Sequence, residues 1–265
     1  MTDINLFDLF GEAVLDHIEA NSGERELTQQ TREAVRVAYD AISAAFFAPE
    51  PIDYAAPDRT KAYMFYYAPK HAYIWKRYVR NRCKKPCVGS VTLNSYGTGP
   101  ASELIGLAEA WRARGLKRIE AYCYDRLDAW RPLAQAVAAR YSRETNFELE
   151  LIWVDDWDGF AKGRHLVGSF VLSELVRRKE IDALLRLRSY IPGTYATFLD
   201  GAKVATVDGD RVLKDVANFA YWTYLPSLGL NCFKEINAAF ATRADRVCGH
   251  ELKEEPKLCF FRTRC

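Results

Sequence analysis

Three groups of residues in this chain have the types and spacing to hold a nucleotide-like ligand. The first is Asn94-Ser95-Tyr96-Gly97-Thr98-Gly99-Pro100, which follows the apolar run Val88–Leu93 and precedes a helical pattern from Ala101 onward. Two glycines one residue apart let a chain turn sharply from strand to helix, which brings backbone N–H groups and a helix N-terminus up to a ligand. The second is Asp125, directly after the apolar stretch Arg118–Tyr124. A carboxylate at such a strand end can accept hydrogen bonds from a ribose diol. The third is Asp155-Asp156-Trp157-Asp158 after Phe147–Val154, where Asp155 or Asp156 can meet an adenine amino group. Each group also has a plain structural explanation: a tight turn, an N-cap for a helix beginning at Leu127, and a solvated loop.

These residues need a sheet to bring them together, and the chain reads as one. Strands are expected at Val88–Leu93, Arg118–Tyr124, Phe147–Val154, His165–Phe170 and Tyr195–Leu199, with helices at Ala101–Arg114, Leu127–Tyr141 and Ile181–Arg188. Regular β-α-β alternation implies a parallel sheet with helices on both faces. Beyond it, Val212–Tyr224 and Leu230–Ala241 read as helices, and Arg246–Leu252 with Leu258–Arg262 as a closing hairpin. Before it, the apolar spacing of residues 4–20 and 34–46 is helical, and Pro69 is expected to kink the aromatic segment that follows. Residues 1–87 are therefore expected to form a helical cap, and residues 88–265 the sheet domain.

Composition narrows the class. The 265 residues are 49% hydrophobic and 27% charged, as in ordinary globular proteins. No apolar run approaches the length of a membrane span, and neither a secretory leader nor a membrane partner is expected. The seven cysteines are scattered and read as reduced thiols in a cytoplasmic protein; Cys83, Cys87 and Cys248 lack the recurring spacing of a zinc site, so no metal is expected. Residues 61–87 carry eight Lys and Arg and no acid, interleaved with Tyr63, Tyr66, Tyr67, Tyr73, Trp75 and Tyr78. Such a segment suits contact with RNA or other nucleic acid from Lys61 to Lys85. It equally suits a helix whose aromatics are core and whose lysines are its wet face.

The run Gly97-Thr98-Gly99-Pro100-Ala101-Ser102-Glu103-Leu104, with Asp125 and the Asp155-Asp156 pair, resembles class I S-adenosylmethionine-dependent methyltransferases over about residues 88–265. Tyr63–Arg80 and His165–Leu175 faintly resemble the branch related to small-ribosomal-subunit methyltransferases. The resemblance implies a seven-stranded Rossmann-like α/β sheet whose last strand is antiparallel, with S-adenosyl-L-methionine as cofactor and methyl transfer as activity. It implies that Ser95, Tyr96, Gly97 and Gly99 pass the methionine part, Asp125 holds the ribose, and Asp155 or Asp156 the adenine. Ser169 and Phe170 would face the transferred methyl, and Tyr67, Tyr66 or Tyr73 would close over the cofactor.

Two residues depart from that pattern. Ser95 stands where the family usually has an acid, and Arg126 where an apolar residue commonly packs on adenine. Methyl transfer depends first on positioning, so no catalytic residue is assigned, although His71 and Glu174 are conceivable bases. RNA is the acceptor class slightly favoured. Two other readings share the same residues: a catalytically degenerate scaffold that contacts nucleic acid, and a nicotinamide-dependent oxidoreductase.

Overall fold

The computed structural model describes residues 4–23, 25–45, 52–82, 89–162, 164–180, 182–183, 185–186, 196–201, 219–224, 236, 238–239 and 258–263. The first apolar periodicity forms α1 (Leu6–Ser22), which buries Leu6, Phe7, Leu9, Phe10, Ala13 and Val14. Asn5 caps it by accepting from the Phe7 N–H at 3.0 Å, and Gly23 ends it at φ 77°. Next come α2 (Gln29–Ala45) and α3 (Pro57–Ala62), the latter running into a π-helical turn, Tyr63–Tyr67, and then α4 (Ala68–Arg82). The interruption expected at Pro69 takes the form of this turn. The Ala68 N–H bonds Tyr63 O, one residue further back than in an α-helix, just before the position where proline has no N–H to give.

The sheet begins with β1 (Ser90–Tyr96), which continues past Leu93. Asn94 and Ser95 look like turn residues by type, yet both are fully buried strand residues. Asn94 exchanges two hydrogen bonds of 2.9 Å with the Ala161 backbone, so its amide is satisfied inside the protein. The remaining elements are α5 (Ser102–Arg112), β2 (Arg118–Tyr124), α6 (Trp130–Thr145), β3 (Glu148–Trp153), β4 (His165–Ser169), α7 (Val171–Arg177), β5 (Ala196–Gly201), β6 (Phe219–Tyr224) and β7 (Leu258–Thr263). Their order across the sheet is β3-β2-β1-β4-β5-β7-β6. The first five are parallel, and β7 is antiparallel to both β5 and β6. The fold is thus α/β and Rossmann-like. The chain leaves the β3 edge and re-enters beside β1 as β4, so the switch point lies between β1 and β4. Ligands of open α/β sheets bind outside the strand ends there.

One expectation about the C-terminal part is corrected, and another falls outside the described residues. Residues 219–224, taken as the end of a helix, form β6, consistent with the strand preference of their aromatic residues. The described partners of β7 are β5 and β6, while 246–252, expected to form its hairpin partner, lies outside the described residues, as does most of 230–241.

The N-terminal helices share one apolar core with the helices of the sheet. Asp16 on α1 pairs with Arg140 at 2.8 Å and Arg143 at 3.3 Å on α6. Helix α4 crosses α5 so closely that a Cβ on Gly106 would stand 2.5 Å from both Ala72 O and Trp75 Cβ. Replacing a mid-helix glycine by alanine ordinarily gains about 1 kcal/mol. Here the clash is with a backbone carbonyl that cannot swing aside. Gly106→Ala is therefore expected to lower stability by about 2 kcal/mol, seen as a lower urea midpoint at unchanged m-value. Among the described residues, no helix is long and apolar enough to cross a membrane.

Candidate functional site

At the switch point lies a cavity of about 570 Å³. Its base is the turn between β1 and α5, where Gly97 and Gly99 have φ of 64° and 48°. At Gly97 the left-handed backbone favours glycine, and a Cβ would also meet Val171 Cγ2 at 2.5 Å. Thr98 pins the turn: its N–H bonds Tyr124 O at 3.0 Å and its hydroxyl reaches Ser95 Oγ at 2.9 Å. Asp125, at the end of β2, clamps the turn from the side. Its Oδ2 accepts from the Gly99 N–H at 2.8 Å and its Oδ1 from the Leu127 N–H at 2.9 Å. Burial raises the Asp125 pKa above the ordinary carboxylate value, against the opposing pull of those two donors and of Arg126.

Helices α5 and α7 both start from left-handed, non-glycine residues, Ala101 at φ 63° and Phe170 at φ 61°. Such conformations cost about 1 kcal/mol or more and cluster at functional sites. Phe170 and Ser169 form the β4 side of the cavity, and Ile52, Tyr54 and Tyr63 contribute from the N-terminal segments.

Of the residues expected at a cofactor site, Tyr96, Gly97, Gly99, Asp125, Arg126, Ser169 and Phe170 line this cavity. Tyr96 stacks on Tyr124 with centroids 5.3 Å apart, and Arg126 reaches Glu180 at 3.5 Å across the cavity lining. Four others are placed elsewhere. Ser95 is buried behind the turn and donates to Glu103 Oε1 at 2.6 Å. Tyr67 is buried in the core, sharing a 2.5 Å hydrogen bond with Ser43. Its place at the cavity is taken by Tyr63, at the start of the π-helical turn. Asp155 and Asp156 sit in an exposed loop after β3, the edge strand, and Asp156 Oδ1 accepts from the N–H groups of Asp158 and Gly159.

The aromatics Tyr66 and Tyr73 also serve packing. Tyr66 stacks on Tyr39 at 4.1 Å, and the Tyr73 hydroxyl accepts from the Leu6 N–H. His71 is fully buried, with Nδ1 3.0 Å from the Tyr63 hydroxyl and its ring 4.4 Å from Phe170. Glu174 lines the cavity but pairs with Arg177 and Arg178.

Two residues of the Gly97–Leu104 run to which the sequence assigned no role stand out. Glu103, in the first turn of α5, is 1% exposed yet lines the cavity, and burial pushes its carboxyl up to about 7. Beside it, Ser102 Oγ is buried and has no hydrogen-bond partner among the described residues. The only signal for them in the sequence was their position directly after the glycine turn.

The base-stacking surface expected of Lys61–Lys85 is not on the outside in residues 61–82. Tyr63, Tyr66, Tyr67, Trp75 and Tyr78 are buried, as are Lys70 and Lys76. Residues 83–85 lie outside the described residues. Among the described residues no cluster of three His, Cys, Asp or Glu could hold a metal ion.

No protein-family model and no curated protein matches the chain. Among solved structures it is similar to an uncharacterized protein from Burkholderia thailandensis, with 13% identity, 90% of this chain and 94% of that chain covered, and a TM-score of 0.45. It is also similar to the plantazolicin methyltransferase BpumL in complex with SAH, with 11% identity, 98% of each chain covered and a TM-score of 0.41. A third is a phosphoethanolamine N-methyltransferase from Haemonchus contortus, with 10% identity, 77% of this chain and 58% of that chain covered, and a TM-score of 0.40. The functional reading is therefore carried by the cavity's own residues.

Proposed function

We propose that the protein is a methyltransferase that binds S-adenosyl-L-methionine in this cavity, with residues 1–87 as a helical cap over it. The observation that carries the reading is the Asp125 clamp on the glycine turn. Backbone donors fix its carboxylate at the cavity wall, and each oxygen keeps a lone pair for a ribose hydroxyl. Gly97 and Gly99 present no side chain to the cavity, so the methionine part of the cofactor passes close to the backbone at these two positions. Leu127 and Trp130 offer an apolar wall for the adenine. Ser169 and Phe170 stand at the β4 end, where the acceptor approaches.

When bound, the cofactor supplies an electrophilic methyl group on sulfonium sulfur. The chain's own contribution is to hold donor and acceptor in line and to exclude water, which is where most of the rate gain of such a transfer arises. RNA as the acceptor class rests on the exposed end of α4 at Arg82 and on Lys84 and Lys85. Salt-dependent RNA retention, lost when these three are neutralised, would support it.

The reading is tested by thermal unfolding with added ligands. S-Adenosylhomocysteine at 100 times its dissociation constant is expected to stabilise the protein by about 2.7 kcal/mol, while NAD is expected to leave the melting temperature unchanged. Protection by NAD and not by S-adenosylhomocysteine would instead favour a nicotinamide-dependent enzyme.

A further inference from the structure

We propose that Glu103 is the anionic subsite of the cavity, that it takes the ammonium group of an amino-acid-bearing ligand, and that ligand entry displaces a proton from it. The inference rests on the cofactor reading above and assigns one of its contacts to a residue outside the glycine turn.

The geometry is that of a carboxylate prepared for a cation that the protein itself does not provide. Ser95 Oγ donates to Glu103 Oε1 at 2.6 Å, and Ser169 Oγ donates to Oε2 at 3.2 Å. The direction of the second bond is fixed from behind. Trp75 Nε1 can only donate, and it does so to Ser169 Oγ at 2.9 Å, which leaves the serine proton for Glu103. Two elements, β1 and β4, thus aim donors at an acid in the first turn of α5, with α4 orienting the second from behind; the helix dipole there also favours negative charge.

Yet Glu103 forms no ion pair among the described residues, and the titratable groups facing it are Asp125, a second acid, and the buried Cys123 thiol. A buried carboxylate without a counter-charge keeps its proton, in keeping with its upward shift to about 7. Ser102 is an independent sign of a ligand site: its buried hydroxyl lines the same cavity and has no hydrogen-bond partner among the described residues. An entering ammonium supplies the charge, and the proton leaves to solvent. The arrangement also accounts for Ser95. The acid expected at that strand position comes instead from the helix, and the serine has become its donor.

The test is calorimetry of the whole protein with S-adenosylhomocysteine at pH 7 in buffers of different ionisation enthalpy. A control titration uses 5′-methylthioadenosine, which lacks the amino-acid part. About half a proton is expected to be released per S-adenosylhomocysteine bound, falling toward zero at pH 9 as Glu103 ionises beforehand. None is expected with 5′-methylthioadenosine. Glu103→Gln should abolish the release and weaken S-adenosylhomocysteine at least tenfold, with 5′-methylthioadenosine binding unchanged.

S-Adenosylhomocysteine binding to the wild-type protein without proton release would overturn the inference and leave the cofactor reading standing. Full-affinity binding by Glu103→Gln would do the same. If neither ligand binds the wild-type protein, the cofactor reading falls and takes the inference with it. The proton count comes from the wild-type protein, so it decides the matter even if the variant does not fold.

Discussion

Asp125→Ala is expected to weaken S-adenosylhomocysteine binding by roughly 100-fold or more. A hydrogen bond to a charged group contributes about 1.5–3 kcal/mol, and the proposed ribose diol would make two of them to this carboxylate. The same substitution strips partners from the N–H groups of Gly99 and Leu127. Both are partly buried, so the variant is also expected to lose about 2 kcal/mol or more of stability. The two effects are separable. Asp125→Asn retains one acceptor oxygen for the backbone but none of the negative charge, and should recover more stability than affinity. Equilibrium dialysis for binding and urea unfolding for stability read them independently. An Asp125→Ala variant that binds at wild-type strength would show that the carboxylate is only a brace for the turn.

Glu103 makes stability depend on pH in an unusual direction for an acid. Its folded-state pKa, pushed up to about 7, lies above the ordinary 4.5, so the native state holds this proton longer than the unfolded chain does. Stability from this group is therefore complete below about pH 4.5, falls as pH rises toward 7, and levels off above. The total loss is roughly 3 kcal/mol for a side chain this deeply buried. Glu103→Gln removes the titration while keeping the shape. The difference in unfolding free energy between variant and wild type should thus move in the variant's favour by that amount between pH 4.5 and 8. Parallel urea titrations across the range measure it, and a difference that stays flat with pH would show that Glu103 is ionised in the empty cavity.

The parts legible in the sequence are those where local pattern and tertiary demand agree. Strands β1 to β5 have apolar runs between turn-forming residues, and the placement of Gly97, Gly99, Asp125, Ser169 and Phe170 around one cavity follows from strand order. Where the structure departs from the pattern, the cause is tertiary. Asn94 and Ser95 are polar, but Ala161 and Glu103 satisfy them inside the sheet, so β1 runs on to Tyr96. Tyr63 rather than Tyr67 reaches the cavity because a π-helical turn sets the rotation of the helix, and five neighbouring aromatic and apolar residues carry no mark of that phase. Asp155 and Asp156 follow β3, the edge strand, and do not line the cavity, which opens at the ends of β2, β1 and β4. In residues 219–224, the strand depends on pairing with β7, a partner more than thirty positions away that periodicity cannot register.

The most direct measurement is the crystal structure of the protein grown with S-adenosylhomocysteine. The account predicts density for one ligand in the cavity between β1 and β4, with the ribose hydroxyls on the Asp125 carboxylate and the amino group at Glu103. An empty cavity at saturating ligand, or a ligand bound away from the Gly97–Gly99 turn, would contradict it.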